Sequence, residues 1–143
     1  IEIAIKEDSK ILFEENIIGK EVECAVFGNE DIFASIPGEI APAKEFYDYE
    51  AKYADIGSRT GIIDDISPEL EQQIKETAVR VFKAMGCKGM SRIDFFLTED
   101  NRILNELNTL PGFTSISMYP KMWEAAGVPY PQLLDRLIAL AME

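Results

Sequence analysis

The chain has 143 residues, 47% of them hydrophobic, and a formal net charge of −12, which fits one compact domain or one domain with a piece of another. No run of Lys and Arg is present to displace phosphate counterions, which excludes general nucleic-acid binding, and no apolar run approaches the ~20 residues of a membrane-crossing helix. Histidine is absent, so Ser–His, Cys–His and His-ligated metal chemistry are all excluded, leaving carboxylates, Lys, Arg, backbone amides and a hard cation.

Ile1 to Lys6 alternates like a strand yet also suits one face of a helix, and it has no cap before it. Ile11-Leu12-Phe13 reads as a short buried strand, followed by the polar joint Glu14-Glu15-Asn16 and the apolar Ile17-Ile18. Gly19-Lys20 turns the chain into a strand over Glu21 to Phe27, where Val22, Cys24 and Val26 alternate with Glu21, Glu23 and Ala25. Gly28 to Asp31 forms a turn, and Ile32 to Ile36 is the returning strand. Cys24 and Cys87 lie far apart in apolar contexts and read as two reduced core thiols, which together with the lack of a secretory pattern gives a cytoplasmic expectation.

Periodicity disappears between Pro37 and Ser67, and a loop this long is usually functional or mobile. Ser67-Pro68 supplies an N-cap and a proline at the first helical position. Leu70, Ile74, Ala78, Val81 and Met85 continue as the apolar stripe of a helix that Gly86 ends. Met90 to Leu97 and Arg102 to Thr109 read as two strands joined by a polar turn. A helix is expected over Lys121 to Ala126, and a last one from Pro131 with Leu133, Leu134, Leu137, Ile138 and Ala141 facing inward.

The pair of strands around residue 100 is the most informative region. With Thr98 to Arg102 as the connecting loop, Leu97 pairs with Ile103, Asp94 lies opposite Glu106, and Arg92 lies opposite Asn108. Alternation then places Arg92, Asp94, Phe96, Leu104, Glu106 and Asn108 on one face, and Ile93, Phe95, Ile103 and Leu107 on the core face. Opposed like charges at about 5 Å repel by roughly 3 kcal/mol at an effective dielectric of 20. A shared proton, neutralisation by Arg92, or a divalent cation would each relieve this, and Asp, Glu and an Asn carbonyl are hard oxygen donors suited to Mg²⁺.

Arg92-x-Asp94 followed by Asn105-Glu106-Leu107-Asn108-Thr109-Leu110-Pro111-Gly112-Phe113-Thr114 closely resembles the metal-binding core of the ATP-grasp D-alanine–D-alanine ligases. The blocks Phe46 to Tyr53, Ser115 to Pro120 and Gly19 to Cys24 match in order and spacing. The resemblance runs nearly end to end. It implies an α+β fold, the ATP-grasp C-terminal domain, with a mostly antiparallel sheet and packed helices. Residues 1–20 would end the central domain, and 21–143 would form the C-terminal domain with a mobile loop at about 37–66.

What the resemblance implies for function is an ATP-dependent ligase that joins two D-alanines through an acyl phosphate for peptidoglycan precursors. It assigns Glu14, Glu15, Asn16 and Ile17 to the adenine edge, Glu21 to the ribose hydroxyls, and Phe96 to packing against adenine. Asp94, Glu106 and Asn108 match the ligands of two Mg²⁺ (or Mn²⁺) ions. Arg92 and the Gly112 N–H match the donors for the tetrahedral intermediate, while Lys52 and Tyr53 lie in the closing loop. Ser117 and Met118 match the pocket for the second D-alanine. A homodimer is implied for the full-length enzyme, with no nucleic-acid or membrane partner.

Two departures stand out. Ile62-Ile63-Asp64 stands where the family usually reads Ile-Pro-Ala, which bears on loop closure. The family's N-terminal domain and most of its central domain have no counterpart here, so this chain alone is expected to be inactive. A ligase taking D-serine or D-lactate second, and a non-catalytic nucleotide- or cation-binding module, are the rival readings.

Overall fold

The computed structural model describes residues 2–41, 59–63, 65–99, 102–114 and 116–143. A short helix α1 (Ala4–Glu7) precedes β1 (Lys20–Gly28), β2 (Ile32–Ala34), β3 (Gly38–Ala41) and β4 (Arg59–Ile62). Then come α2 (Pro68–Ala84), β5 (Gly89–Leu97), β6 (Arg102–Asn108), α3 (Met118–Ala125) and α4 (Tyr130–Ala141). The strands form one antiparallel sheet in the order β4-β3-β1-β5-β6, with β2 paired to the far half of β1. This is the expected α+β arrangement of a mostly antiparallel sheet with packed helices.

Alternation along β1 and β5 divides the sheet into two faces, and each face has its own helix layer. On one, Val22, Cys24, Val26, Ile93, Phe95 and Leu97 meet Ile74, Ala78 and Phe82 of α2. Helix α2 begins as its sequence dictates: the Ser67 hydroxyl accepts the Leu70 N–H at 3.2 Å, and Pro68 occupies the first turn. Its end is also as expected, since Gly86 adopts φ +65°. The buried stripe is Ile74, Ala78 and Phe82, with Met85 67% exposed rather than inward.

On the opposite face, Ala25 and Phe27 lie under Met118, Tyr119, Met122, Trp123, Val128 and Leu133. Helix α3 starts at Met118, three residues ahead of the sequence expectation, and its first three residues are buried. The Tyr119 hydroxyl donates to the Val26 carbonyl at 2.9 Å, so this large side chain sits in the core with its polar end satisfied. In α4 the inward stripe is Leu133, Leu137 and Leu140; Leu134, Ile138 and Ala141, all expected to face inward, are exposed. The helix is apolar on more than one side, so tertiary docking rather than periodicity selects the face.

Two further expectations change, and one left open is decided. Ile11-Leu12-Phe13 forms no strand, and Leu12 and Phe13 are 78% and 70% exposed, because no ladder partner lines up with it among the described residues. Ile1 to Lys6 resolves in favour of a helical turn, Ala4–Glu7, whose residues are all exposed. The stretch after Pro37 is not structureless throughout: β3 and β4 pair from Gly38↔Ile62 to Ala41↔Arg59. That ladder brings the two ends of the expected loop together, and residues 42–58, with Lys52 and Tyr53, lie outside the described residues.

Candidate functional site

The helices of the second face cover only part of the sheet, and the charged residues gather beyond them. Registered positions form successive rows across β1, β5 and β6. Glu21 pairs with Phe96; Glu23 pairs with Asp94, which pairs with Glu106; Ala25 pairs with Arg92, which pairs with Asn108. Directly paired residues point the same way. The expected Asp94–Glu106 and Arg92–Asn108 pairings are therefore present, with Glu23 added as a third carboxylate in the Asp94 row.

The hairpin register differs at its turn end. A one-residue shift follows Asp94, so Phe95 pairs with Leu104, Phe96 with Ile103 and Leu97 with Arg102. Asn105 is the extra residue of a β-bulge. As a result Ile103, rather than Leu104, shares the face of Phe96, and Leu104 moves to the face of Phe95.

Arg92 organises the row. Its Nε and one terminal nitrogen donate to the two oxygens of Asp94, each at 2.8 Å, a bidentate fork. The same Nε lies 3.2 Å from Glu23 Oε1. The Asn108 amide donates to Asp94 Oδ2 at 3.1 Å and to Glu106 Oε1 at 2.9 Å. Of the three ways to relieve the Asp94–Glu106 repulsion, the structure displays neutralisation by Arg92, with Asn108 bridging the pair. Burial pushes the Asp94 carboxyl upward, the Arg92 hydrogen bond and charge oppose that, and the Glu106 charge adds to it, leaving a net rise. Burial pulls the Arg92 guanidinium down, but the Asp94 bond and the charges of Glu23, Asp94 and Glu106 outweigh it.

Gly38 extends the row to a fourth strand, paired with Glu23 from β3. Having no side chain, Gly38 accommodates the end of Met118, which occupies the space a Cβ there would need. Met118 is only 5% exposed, so it roofs this end of the row rather than lining open solvent. Ser117 precedes it, and its hydroxyl takes the Thr114 N–H and contacts Thr114 Oγ1, both at 2.9 Å. The same hydroxyl lies close to Gly112, where an added Cβ would be 3.0 Å from Ser117 Oγ. Glu14, Glu15 and Asn16 are exposed and Ile17 is half-buried in the irregular chain before β1.

The donor set is compatible with a divalent cation in a particular way. Among the described residues no three acidic or Cys side chains converge as a ready-made cage. Mg²⁺ does not need one when substrate phosphates and water complete its octahedron, since one or two carboxylates then suffice. Asp94 and Glu106 form such a partial set on a half-open face, and a turn of the Asn108 amide, whose NH2 now bridges them, would add its carbonyl oxygen. Glu23 was missed in the sequence because its alternation with Val22 and Cys24 read as an ordinary polar strand face; it is in fact 2% exposed.

Comparison with known proteins bears on this site. Residues 1–139 match the family model described as the D-ala D-ala ligase C-terminus. A D-alanine–D-alanine ligase of Oceanobacillus iheyensis is 53% identical over 148 aligned positions, covering 100% of this chain and 40% of the relative. Among solved structures, the VanG D-Ala:D-Ser ligase from Enterococcus faecalis superposes with a TM-score of 0.74 at 42% identity, over 88% of this chain and 37% of that one. The D-alanine–D-alanine ligase from Bacillus anthracis complexed with ATP superposes with a TM-score of 0.73 at 32% identity, over 90% and 41%. The antiparallel sheet, its helices and the charged row thus occur in a chain that belongs to the D-alanine–D-alanine ligase C-terminal family. It spans about two-fifths of the length of the curated relative it matches.

Proposed function

We propose that this chain is the nucleotide- and cation-binding C-terminal part of an ATP-dependent ligase that joins two D-alanines through an acyl phosphate for peptidoglycan precursors. The observation that carries the reading is the row Glu106–Asp94 with Arg92 and Asn108 beside it, on a sheet face that Met118 roofs at one end. Residues 1–20 belong, on this reading, to the end of a central domain. The exposure of Leu12, Phe13 and Ile18 supports that, since such apolar side chains call for cover that the described residues of 21–143 do not supply.

Each side chain then has a definite task. Asp94, Glu106 and Asn108 hold the cations. Two Mg²⁺ or Mn²⁺ ions bound there would offset phosphate charge during transfer. Glu21 accepts hydrogen bonds from ribose hydroxyls, and its partner Phe96 offers a half-buried aromatic face to adenine beside it, with the backbone of Glu14 to Ile17 at the adenine edge. Arg92 and the Gly112 N–H donate to the oxyanion that forms when the second amine attacks, and preorganised donors of this kind typically contribute several kcal/mol. Lys52 and Tyr53, in the segment between β3 and β4, close over the phosphates and exclude water. Ser117 and Met118 border the second amino acid, and the place of Met118 over the row supports that assignment. Full length, the enzyme is a cytoplasmic homodimer; no described helix is long and apolar enough to cross a membrane.

The test is a chimera in which this chain replaces the matching segment of a D-alanine–D-alanine ligase. D-alanine-dependent phosphate release should be retained and should fall at least 100-fold on Arg92→Ala. The buried thioether of Met118 offers no partner to a hydroxyl, whose unbonded burial costs roughly 1–3 kcal/mol, so D-alanine should be preferred over D-serine by about 5- to 150-fold at the second site. Met118→Arg should move that preference towards D-serine. A chimera that uses D-serine or D-lactate as well as D-alanine would remove the substrate assignment, and one that binds nucleotide without releasing phosphate would favour a binding module.

A further inference from the structure

Resting on the cation-site reading above, we propose that Glu23 is a positioning residue: it takes over Arg92 when Asp94 turns to a divalent cation. In the structure both oxygens of Asp94 are occupied by Arg92, through Nε and a terminal nitrogen at 2.8 Å. Asn108 adds a third donor on Oδ2 at 3.1 Å. A carboxylate so engaged has little lone-pair capacity left for a cation, and Arg92 would be repelled by the incoming charge. Binding therefore requires Arg92 to loosen its fork, and an arginine released without another acceptor would lose the placement that its role as a donor demands.

Glu23 is built to prevent that loss. It lies directly opposite Asp94 on the neighbouring strand. Its Oε1 already stands 3.2 Å from Arg92 Nε, the nitrogen shared with Asp94. Ala25, opposite Arg92, is small enough to leave the guanidinium room to lean across. The Glu23 side chain is only 3% exposed, so its charge is weakly screened.

The exchange moves Arg92 from one carboxylate to the other by a small lean, with no change of strand register.

The experiment measures Mn²⁺ dissociation constants for this chain by calorimetry, with Mn²⁺ as the only metal probe. Glu23→Asp keeps the charge but withdraws it by one methylene, and Glu23→Gln keeps the shape but removes the charge. Both should weaken Mn²⁺ about tenfold, because Arg92 then competes for Asp94. In an Arg92→Gln background the competitor is gone, and adding Glu23→Asp should change the constant less than twofold. A purely electrostatic contribution of Glu23 would leave Glu23→Asp close to the unmodified chain, and a fold-wide effect would appear equally in both backgrounds; either result overturns the exchange. Should Glu23→Gln fail to fold, the charge-conserving Glu23→Asp pair of measurements decides alone. No Mn²⁺ binding by the unmodified chain, with or without an added ATP analogue to supply phosphate oxygens, would overturn the cation-site reading and this inference together, which separates that failure from loss of the exchange alone.

Discussion

The side chain of Met118 occupies the space above Gly38 that any larger residue would need, so one glycine on β3 sets where the first turn of α3 rests. Gly38→Ala should overlap the Met118 methyl and press on Met122, whose Cγ and Sδ would be 3.2 Å from the new Cβ. Because the thioether end is flexible, Met118 rather than backbone should yield, at a cost of about 1–2 kcal/mol. Met118→Ala opens the same space, so the double variant should be more stable than the sum of the two single losses. Urea unfolding of the four proteins gives the coupling, and simple additivity would show that the two positions do not share this volume.

Cation binding should appear as stability. A ligand that binds only the folded chain stabilises it by about 2.7 kcal/mol at 100 times its Kd. Mg²⁺ or Mn²⁺ should therefore raise the unfolding temperature of this chain. Glu106→Gln should shrink that rise, whereas Glu99→Gln, exposed beyond the end of β5, should leave it intact. Equal cation-induced shifts in the two variants would remove Glu106 from the site.

The two thiols should behave differently. Cys24 is 0% exposed, and burial pushes its thiol from 9.0 up to about 12 against the weaker opposing pull of its Ser35 hydrogen bond. Its folded-state value lies above its unfolded one, so its contribution to stability is complete below about 9.0 and is lost as pH rises towards 12. At pH 8 a thiol reagent should modify Cys87, which is partly exposed, and reach Cys24 only after unfolding. Rapid modification of both in the folded chain would contradict the packing around β1.

Ile63 stands where the resembling family reads proline, and here it serves two purposes a proline would not. Its N–H donates to the Pro37 carbonyl at 3.4 Å, and its side chain is 6% exposed in the α2 core. Ile63→Pro should destabilise the chain by about 1–3 kcal/mol, through the lost donor and the smaller side chain. Ile63→Val should cost no more than about 1.5 kcal/mol. Urea denaturation checks both, and an Ile63→Pro chain as stable as Ile63→Val would discount the bond to Pro37.

How much of this was legible in the sequence follows from the range of each signal. The α2 boundaries could be read because Ser67, Pro68 and Gly86 act within a few residues of themselves. The Asp94–Glu106 and Arg92–Asn108 pairings were legible for the same reason, lying across one hairpin. Glu23 was not, because alternation in β1 gives its face but not its neighbour: β5 follows about 60 residues later in the chain. Nor could alternation reveal that β1 is central and covered on both faces. The Ile11 to Phe13 strand failed for a related reason, since an extended apolar run becomes a strand only beside a partner. In α4 the sequence offers several apolar stripes, and only the docked neighbours choose Leu133, Leu137 and Leu140 over Leu134 and Ile138. The roles of Lys52 and Tyr53 rest on residues outside the described part.

The bulge at Asn105 has a consequence for how such a hairpin can change. At its turn end the ladder runs Leu97↔Arg102. Continued without interruption, that register would set Asp94 against Asn105 and Glu106 against Ile93, turning the Glu106 carboxylate towards the α2 core. The extra residue restores parity, so a short connection and a shared carboxylate face can coexist in one hairpin. Turn length and bulge are therefore a matched pair of frame-setting features. A single-residue insertion in the turn and a single-residue deletion at Asn105 would compensate each other's parity, while either alone would separate the two acids onto opposite sides of the sheet.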